Sequence, residues 1–191
     1  MKQILLMMAA VVLAGCGDSG KQAAAEAKAA AEAKAAAEAK AAEEAKAAEE
    51  AKEQTAIVEK AVRESLEKPE GEITEADLEK VTLLHSLVGT KFTDAGLKEV
   101  AKLQKLTHLN LSTTEITDAG LKEVAKLQKL EWLGLSQTQI TDEGLKEVTK
   151  LRNLEKLILF APRGKVTEAG VAELKKALPN CDIFGGPFLY Y

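Results

Sequence analysis

The sequence has few of the side chains from which catalytic and metal sites are built. It contains only two histidines, two cysteines and one tryptophan, and no aromatic residue precedes Phe92. It has no zinc-type Cys/His spacing, no Gly-rich phosphate loop and no serine nucleophile elbow. We therefore expect a protein that is not an enzyme and that holds no metal and no cofactor.

The sequence also lacks an excess of basic residues and enough cysteines for a disulfide framework. Lys and Arg number 26, Asp and Glu number 30, and the formal net charge is -4. Nucleic-acid binding needs a clustered basic patch, so we expect no nucleic-acid partner. Two cysteines cannot form a set of crosslinks, and we expect no disulfide.

No apolar run is long enough to span a membrane. The longest, Ile4–Leu13, has ten residues after a short basic start, which fits the apolar core of an export signal covering residues 1–15. The signal ends in Leu-Ala-Gly followed by Cys16, and this resembles the lipobox of bacterial lipoproteins. The resemblance implies a lipid anchor on Cys16. The alternative is an ordinary secretory signal with an incidental cysteine.

The resemblance also implies a location in the bacterial cell envelope. In such lipoproteins an Asp directly after the lipidated Cys favours the inner membrane. Here that position is Gly17, and Asp18 comes one residue later. We therefore favour the outer membrane, facing the periplasm or the surface, over the inner membrane.

A short tether, residues 16–20, precedes a tract made almost entirely of Ala, Glu and Lys at residues 21–53. These residues are strong helix formers, and their six-residue repeat carries charge around every helix face. No apolar seam of period 3.5 exists, so we expect a monomeric helical stalk rather than a coiled coil. The functional interpretation is a spacer, and the alternative is low-complexity filler.

Apolar residues at spacings of three and four then predict an amphipathic helix and N-terminal cap within residues 54–72. Pro69 and Gly71 are helix-stopping residues, so residues 22–68 are predicted to form one helix. With a degenerate unit at 73–91, the amphipathic helix is expected to cover the first coil of the domain that follows.

Residues 73–191 contain a 24-residue repeat. Its two full units are LTHLNLSTTEITDAGLKEVAKLQK at 106–129 and LEWLGLSQTQITDEGLKEVTKLRN at 130–153. These units resemble bacterial leucine-rich repeats of the ribonuclease-inhibitor and F-box-like subclass. The resemblance implies an α/β fold, namely a short solenoid with parallel strands inside and helices outside. A long single α-helical stalk is expected before it.

Several positions inside the repeat have predicted structural roles. Thr117 or Asp118 is expected to cap a helix, and the glycines at 96, 120, 144 and 170 mark places where neighbouring coils approach too closely for a side chain. Thr114 and Thr138 stand where many such repeats carry Asn or Cys, and a Thr hydroxyl serves the loop carbonyls less fully.

Alternation along each strand predicts a solvent-facing concave surface that binds a protein or another envelope component. Its candidate residues are His108, Asn110, Ser112, Trp132, Gly134, Ser136, Lys156, Ile158 and Phe160. Trp132 is expected at the centre of an apolar hot spot, with open space above Gly134. The alternative is that Trp132 packs sideways and that the C-terminal aromatic residues cover Ile158 and Phe160.

The end of the chain carries two further predictions. Cys181 falls on an inward-facing leucine position and is expected to be a buried thiol rather than a nucleophile. Phe184, Phe188, Tyr190 and Tyr191 form either a C-terminal cap or an exposed binding tail, and we favour the cap.

The sequence thus predicts a membrane-anchored extracytoplasmic leucine-rich-repeat lipoprotein. Its head would be a protein-binding module held off the membrane by a helical stalk. The alternative is a structural envelope spacer with no specific ligand.

Overall fold

The protein is described by a computed structural model that covers the backbone of residues 19–160 and 165–186, and side chains from residue 34 onward within those ranges. The chain divides into two structural units between Lys46 and Ala47. The predicted signal, the lipidation site at Cys16 and the aromatic residues at 188, 190 and 191 lie outside the described residues. The predicted domain boundaries stay predictions.

The first helix, α1, runs from Ser19 to Ser65 without a break. Every side chain from Lys34 to Glu53 is exposed, as a tract without an apolar face requires. Ion pairs join residues four apart along this tract, Lys34–Glu38 at 3.8 Å and Lys40–Glu44 at 3.9 Å. Within the described ranges, no helix is both long and apolar enough to cross a membrane.

The end of α1 differs slightly from the prediction. The helix stops at Ser65 rather than at residue 68, and Glu67 takes a positive φ of 51°. The turn is held by Arg63, whose guanidinium donates to the Gly71 carbonyl at 3.0 Å and to the Glu59 carboxylate at 2.7 Å. The chain therefore leaves the helix before it reaches Pro69.

The repeats build one helix and one strand per coil. The helices after α1 are α2 (Glu75–Leu78), α3 (Asp94–Val100), α4 (Asp118–Val124), α5 (Asp142–Val148) and α6 (Glu168–Ala177). The strands are β1 (Leu83–Leu84), β2 (His108–Asn110), β3 (Trp132–Gly134), β4 (Lys156–Phe160) and β5 (Asp182–Gly186). All five strands pair in parallel in chain order.

The core lies between the sheet and the layer of helices, and each coil contributes equivalent leucines to it. Leu109, Leu133 and Leu157 stand in register on successive strands and are fully buried. Successive helices α3 to α6 pack on one another. The predicted α/β solenoid, with parallel strands on one side, helices on the other and a long helix before it, is confirmed.

The last turns of α1 belong to this core. Val58, Ala61 and Val62 are buried in the same cluster as the repeat leucines, with Ile57 and Leu66 partly buried against it. Gln54 is also buried, at 2% exposure, although it is polar. The apolar stripe at the end of α1 therefore covers side chains of the first coil that would otherwise face water.

Each repeat helix begins at a threonine. Thr117 is the N-cap of α4, and its hydroxyl accepts a hydrogen bond from the Ala119 N–H. Thr141 and Thr167 cap α5 and α6 in a similar way. Of the two predicted capping residues, Thr117 is therefore correct, whereas Asp118 bonds to the next coil.

Thr114 and Thr138 each donate one buried hydrogen bond to a loop carbonyl, at 2.6 Å to Leu111 and 2.8 Å to Leu135. A Thr hydroxyl has a single proton, so each of these residues donates to only one loop carbonyl.

Candidate functional site

The sheet has one face on the core and one open face, and the open face corresponds to the predicted concave surface. The strand register arranges its side chains in rows that run across the sheet. One row joins Leu83, His108, Trp132, Lys156 and Asp182, and the next row contains Asn110, Gly134, Ile158 and Phe184. The predicted strand residues therefore do come together on one surface.

Trp132 lies against the two histidines of this face. Its ring stacks on His108 with centroids 6.5 Å apart and planes 15° apart, and the His85 ring is tilted against it at 5.6 Å. The indole is only partly exposed as a result. Trp132 therefore does pack sideways on its neighbours, and it still presents part of its ring to solvent.

The expectation of open space above Gly134 is wrong. Gly134 is buried, and a Cβ placed there would overlap with the Asn110 side-chain oxygen and lie 3.0 Å from the Trp132 ring. Asn110 also accepts a hydrogen bond from the Ser112 N–H at 3.1 Å. The space beside Gly134 is therefore occupied by Asn110 and Trp132 and is not an open part of the surface.

Ser112 and Ser136 bond to adjacent coils. The Ser112 hydroxyl accepts from the Ser136 N–H at 3.3 Å, and the Ser136 hydroxyl accepts from the Phe160 N–H at 3.2 Å. Both are partly buried. These hydrogen bonds join the ends of neighbouring strands. The two serine hydroxyl oxygens therefore already act as acceptors within the protein.

The other half of the open face is apolar. Phe160 and Phe184 are each 46% exposed, and Ile158 lies partly buried in register with Phe184. The Lys156 ammonium sits 4.7 Å from the centre of the Phe184 ring, a distance at which a cation attracts the aromatic face. Large apolar side chains at this exposure on one face are typical of contact surfaces.

Four residues of the open face were not predicted from the sequence, namely Leu83, His85, Asp182 and Phe184. Leu83 is 41% exposed beside His108, and His85 contacts Trp132. The first coil is degenerate and its strand is only two residues long, so the repeat pattern gave no alternation there. The sequence predicts Phe184 as part of a terminal cap, whereas the structure places it on β5 in register with Ile158.

The titratable groups of this region are few. Burial lowers the pKa of His85, and the charge of His108 lowers it further. Burial raises the pKa of Cys181 to about 11, with a contribution from Asp182. Cys181 is 8% exposed, which confirms the prediction of a buried thiol. Among the residues described, no group of three or more His, Cys, Asp or Glu side chains is placed to hold a metal ion.

Comparison with known proteins supports the repeat assignment. Residues 102–125 match the Leucine Rich repeat family. None of the curated proteins matches the chain.

Two solved structures are similar to the chain at low identity. An internalin from Listeria monocytogenes is 17% identical, with 69% of this chain and 57% of that chain covered and a TM-score of 0.39. A leucine-rich-repeat protein from Leptospira interrogans is 22% identical, with 62% and 41% covered and a TM-score of 0.35. The chain thus spans about half the length of these two proteins.

The repeated units, the parallel five-stranded sheet and the match over residues 102–125 lead to one conclusion. The chain carries an α/β leucine-rich-repeat solenoid with a long N-terminal helix.

Proposed function

We propose that the open face is a protein-binding surface and that the chain acts as a protein-binding module without catalysis of its own. Leucine-rich-repeat proteins typically act in protein binding. The observation that carries the proposal is the group of large apolar side chains left exposed on this face, Leu83, Phe160 and Phe184, together with the partly exposed Trp132 on the same face. Tryptophan is among the residues most enriched in binding hot spots.

The chemistry of this surface favours a partner with apolar anchors. Its charged groups are few, since Lys156 and Asp182 are the only charged residues of the row that contains Trp132. The charges of the repeat helices pair with one another instead, as in Lys126–Glu123 at 2.7 Å and Lys146–Glu143 at 2.6 Å. A partner would therefore gain most by burying the aromatic side chains of the open face.

Replacing Trp132 by Ala tests this proposal. The full chain is used to capture partners from envelope fractions, and Trp132→Ala is compared with Lys122→Ala, which removes an exposed side chain from helix α4. We expect Trp132→Ala to weaken capture by at least tenfold, a loss typical of a hot-spot residue. Thermal melting of both variants separates lost binding from lost folding.

Two results would contradict the proposal. One is equal recovery of the same partner by both variants. The other is the absence of any specific partner with the unsubstituted chain, which would favour the structural alternative.

We further propose that the protein is a bacterial lipoprotein anchored through Cys16 in the cell envelope, on the outer membrane in preference to the inner. The support is the sequence at Met1–Cys16, with its short basic start, ten-residue apolar run and small residues before the cysteine. Mass spectrometry of the mature N-terminus tests it. An unmodified Cys16, or cleavage at another position, would overturn the anchor.

The helix of residues 21–53 is proposed as a spacer for this anchor. Its described side chains are exposed and charged around the helix, so it has no surface of its own for a partner helix. At 1.5 Å per residue, the 47 residues of α1 measure about 70 Å. The same observation supports the alternative that the chain is an envelope spacer with no specific ligand. In both cases we expect a monomer, which sedimentation over a range of concentrations checks.

A further inference from the structure

The uncharged polar side chains of the open face use acceptor atoms inside the protein. The Asn110 side-chain oxygen accepts a hydrogen bond from the Ser112 N–H at 3.1 Å. The Ser112 hydroxyl oxygen accepts from the Ser136 N–H at 3.3 Å, and the Ser136 hydroxyl oxygen accepts from the Phe160 N–H at 3.2 Å. Because each of these bonds uses an oxygen as acceptor, the side chains keep their own protons for a ligand.

The amide of Asn110 has a fixed orientation. Its oxygen lies beside Gly134, where a Cβ would overlap with it, and it also receives the Ser112 N–H. The Asn110 nitrogen and the hydroxyl protons of Ser112 and Ser136 have no acceptor among the described residues, and we call them the donor group. Every fully buried side-chain nitrogen or oxygen in the described ranges has a partner, so the Asn110 nitrogen is open to solvent.

The charges of the open face leave this donor group without a carboxylate on the neighbouring strand positions. Among the described strand positions of the face, Asp182 on β5 is the only carboxylate and Lys156 on β4 the only ammonium. Glu131 and Glu155 come immediately before β3 and β4, at the opposite ends of the strands from the two serines of the donor group. The donor group therefore favours a ligand that brings its own acceptors and a negative charge.

We propose that the donor group receives a carboxylate, carried by an acidic side chain of the partner that stands next to an apolar residue. The inference rests on the proposed protein-binding function and specifies the chemistry of the partner. Hydrogen bonds to an ionised acceptor are roughly twice as strong as those between neutral groups. Neighbouring strands lie about 4.8 Å apart, so the two oxygens of one carboxylate can reach donors on neighbouring coils.

The position of the donor group explains why the acidic residue needs an apolar neighbour. The Ser136 hydroxyl is bonded to the N–H of Phe160, whose side chain is 46% exposed. Ile158 and Phe184 lie beside it on the same face, and the Lys156 ammonium sits 4.7 Å from the centre of the Phe184 ring. A segment with an apolar side chain over Phe160 can thus place a carboxylate on Ser136, and it complements the face in both polarity and charge.

Two synthetic peptides with capped ends test this chemistry on the full chain. One alternates phenylalanine and glutamate, and the other carries glutamine in place of glutamate, with the same shape and no charge. Binding is followed by the emission of Trp132, the only tryptophan, whose ring lies beside Gly134 and Asn110. We expect the glutamate peptide to bind about tenfold more tightly, because a charged acceptor strengthens each hydrogen bond.

Asn110→Asp identifies the donor group as the cause. It keeps the oxygen that accepts the Ser112 N–H and replaces the amide donor by a second carboxylate oxygen. We expect it to weaken binding of the glutamate peptide by about tenfold or more and to leave the glutamine peptide nearly unchanged. Asn180→Asp is the matched control, since it adds the same charge at an exposed asparagine outside the strands. Ser136→Ala, which removes one donor, is the second variant if Asn110→Asp lowers the melting temperature.

Three results would overturn the inference. They are equal affinity of the full chain for the two peptides, binding of neither peptide, and equal losses in Asn110→Asp and Asn180→Asp. None of them contradicts the protein-binding proposal as long as the full chain still captures a partner from envelope fractions. Conversely, a full chain that captures no partner but prefers the glutamate peptide would contradict only the protein-binding proposal.

Discussion

At the scale of single residues, the aspartate at the start of helices α3, α4 and α5 bonds to the threonine that caps the next helix. Asp118 at the start of α4 accepts hydrogen bonds from the N–H of Thr141 at 2.7 Å and from its hydroxyl at 2.6 Å. Asp94 does the same for Thr117, and Asp142 for Thr167. A Cβ at Gly144, the third residue of α5, would overlap with the Asp118 carboxylate. Gly120 and Gly170 stand in the same relation to Asp94 and Asp142. The recurring glycine therefore makes room for the aspartate of the previous coil.

Removing one of these carboxylates should therefore destabilise the solenoid. Asp118→Ala deletes two hydrogen bonds to a charged acceptor and leaves the partly buried Thr141 N–H without its carboxylate partner. We expect the free energy of unfolding to fall by about 3 kcal/mol. Urea denaturation measures the change.

The matched control for that substitution is Glu168→Ala. Glu168 occupies the equivalent position of the last helix, where the described part of the chain has no further threonine to hold, and it is exposed. Its replacement should change stability by less than about 0.5 kcal/mol. Equal losses in the two variants would show that the aspartates act only as helix-start charges.

His85, beside Trp132, makes stability depend on pH below 6.5. The pKa of His85 is lowered from 6.5 in the folded state, first by burial and then by His108. The unfolded state therefore binds more protons between the lowered pKa and 6.5, so stability is full above pH 6.5 and falls as the pH drops through that window. Unfolding free energies measured between pH 7.5 and 5 check this.

Two substitutions isolate the contribution of His85. His85→Gln should flatten the pH dependence in that window, because it removes the group that titrates. His108→Gln should move the midpoint up towards 6.5, because it removes the second cause of the shift. An unchanged profile in His85→Gln would assign the dependence to other groups.

At the scale of elements, helix α1 substitutes for the coil that is missing before the first repeat. The Gln54 side chain accepts from the Thr93 N–H at 2.9 Å and donates to the Lys91 carbonyl at 2.9 Å. Thr93 also donates its hydroxyl to Glu50 at 3.1 Å. Thr93 is the N-cap of α3, so Gln54 and Glu50 together do for the first coil what Asp118 does for a later one.

Gln54→Ala should consequently destabilise the solenoid even though the substitution lies in the first helix. It leaves the partly buried Thr93 N–H and Lys91 carbonyl without the Gln54 amide. We expect the free energy of unfolding to fall by about 2 kcal/mol or more. Glu53→Ala, one residue earlier and exposed, is the control and should have little effect. If the two variants melt alike, the end of α1 covers the first coil only by apolar contact.

The sequence predicts those features that its period encodes and misses those that depend on contacts between coils. Leu109 and Leu133 are predicted as buried because their alternation marks one face of a strand. The close approach at Gly144 is predicted too, but not its cause, since Asp118 lies in the preceding coil and looks like an ordinary first-turn acid. Gln54 is missed for a similar reason, because it borders a tract of exposed polar residues and its partners lie 37 and 39 residues away.

The candidate site likewise combines features that the repeat period predicts with features that depend on contacts between coils. The register of Trp132 with Lys156 comes from the 24-residue spacing, whereas the orientation of its ring depends on His85 from a degenerate coil two strands away. Gly134 illustrates the limit best. Its missing side chain suggests free space, yet the space is taken by Asn110 and Trp132, which only the packed structure determines.

At the scale of the whole molecule, the solenoid is a row of coils that contact only their neighbours, and this predicts how it tolerates a deletion. Removing residues 118–141 deletes one 24-residue unit and joins Thr117 to Asp142. Asp94 still holds Thr117, Asp142 still holds Thr167, and β2 then meets β4 with the register each had with β3. The end of α1 still covers the first coil, so the shortened protein should fold cooperatively with a lower melting temperature, because only one coil and one interface are lost. Removing residues 118–129 instead deletes helix α4 but keeps β3, which leaves the core leucines of that strand without their helix, and this chain should not show cooperative unfolding. Circular dichroism during heating distinguishes the two. If the 24-residue deletion also fails to fold, the coils are not interchangeable, and stability depends on contacts beyond nearest neighbours.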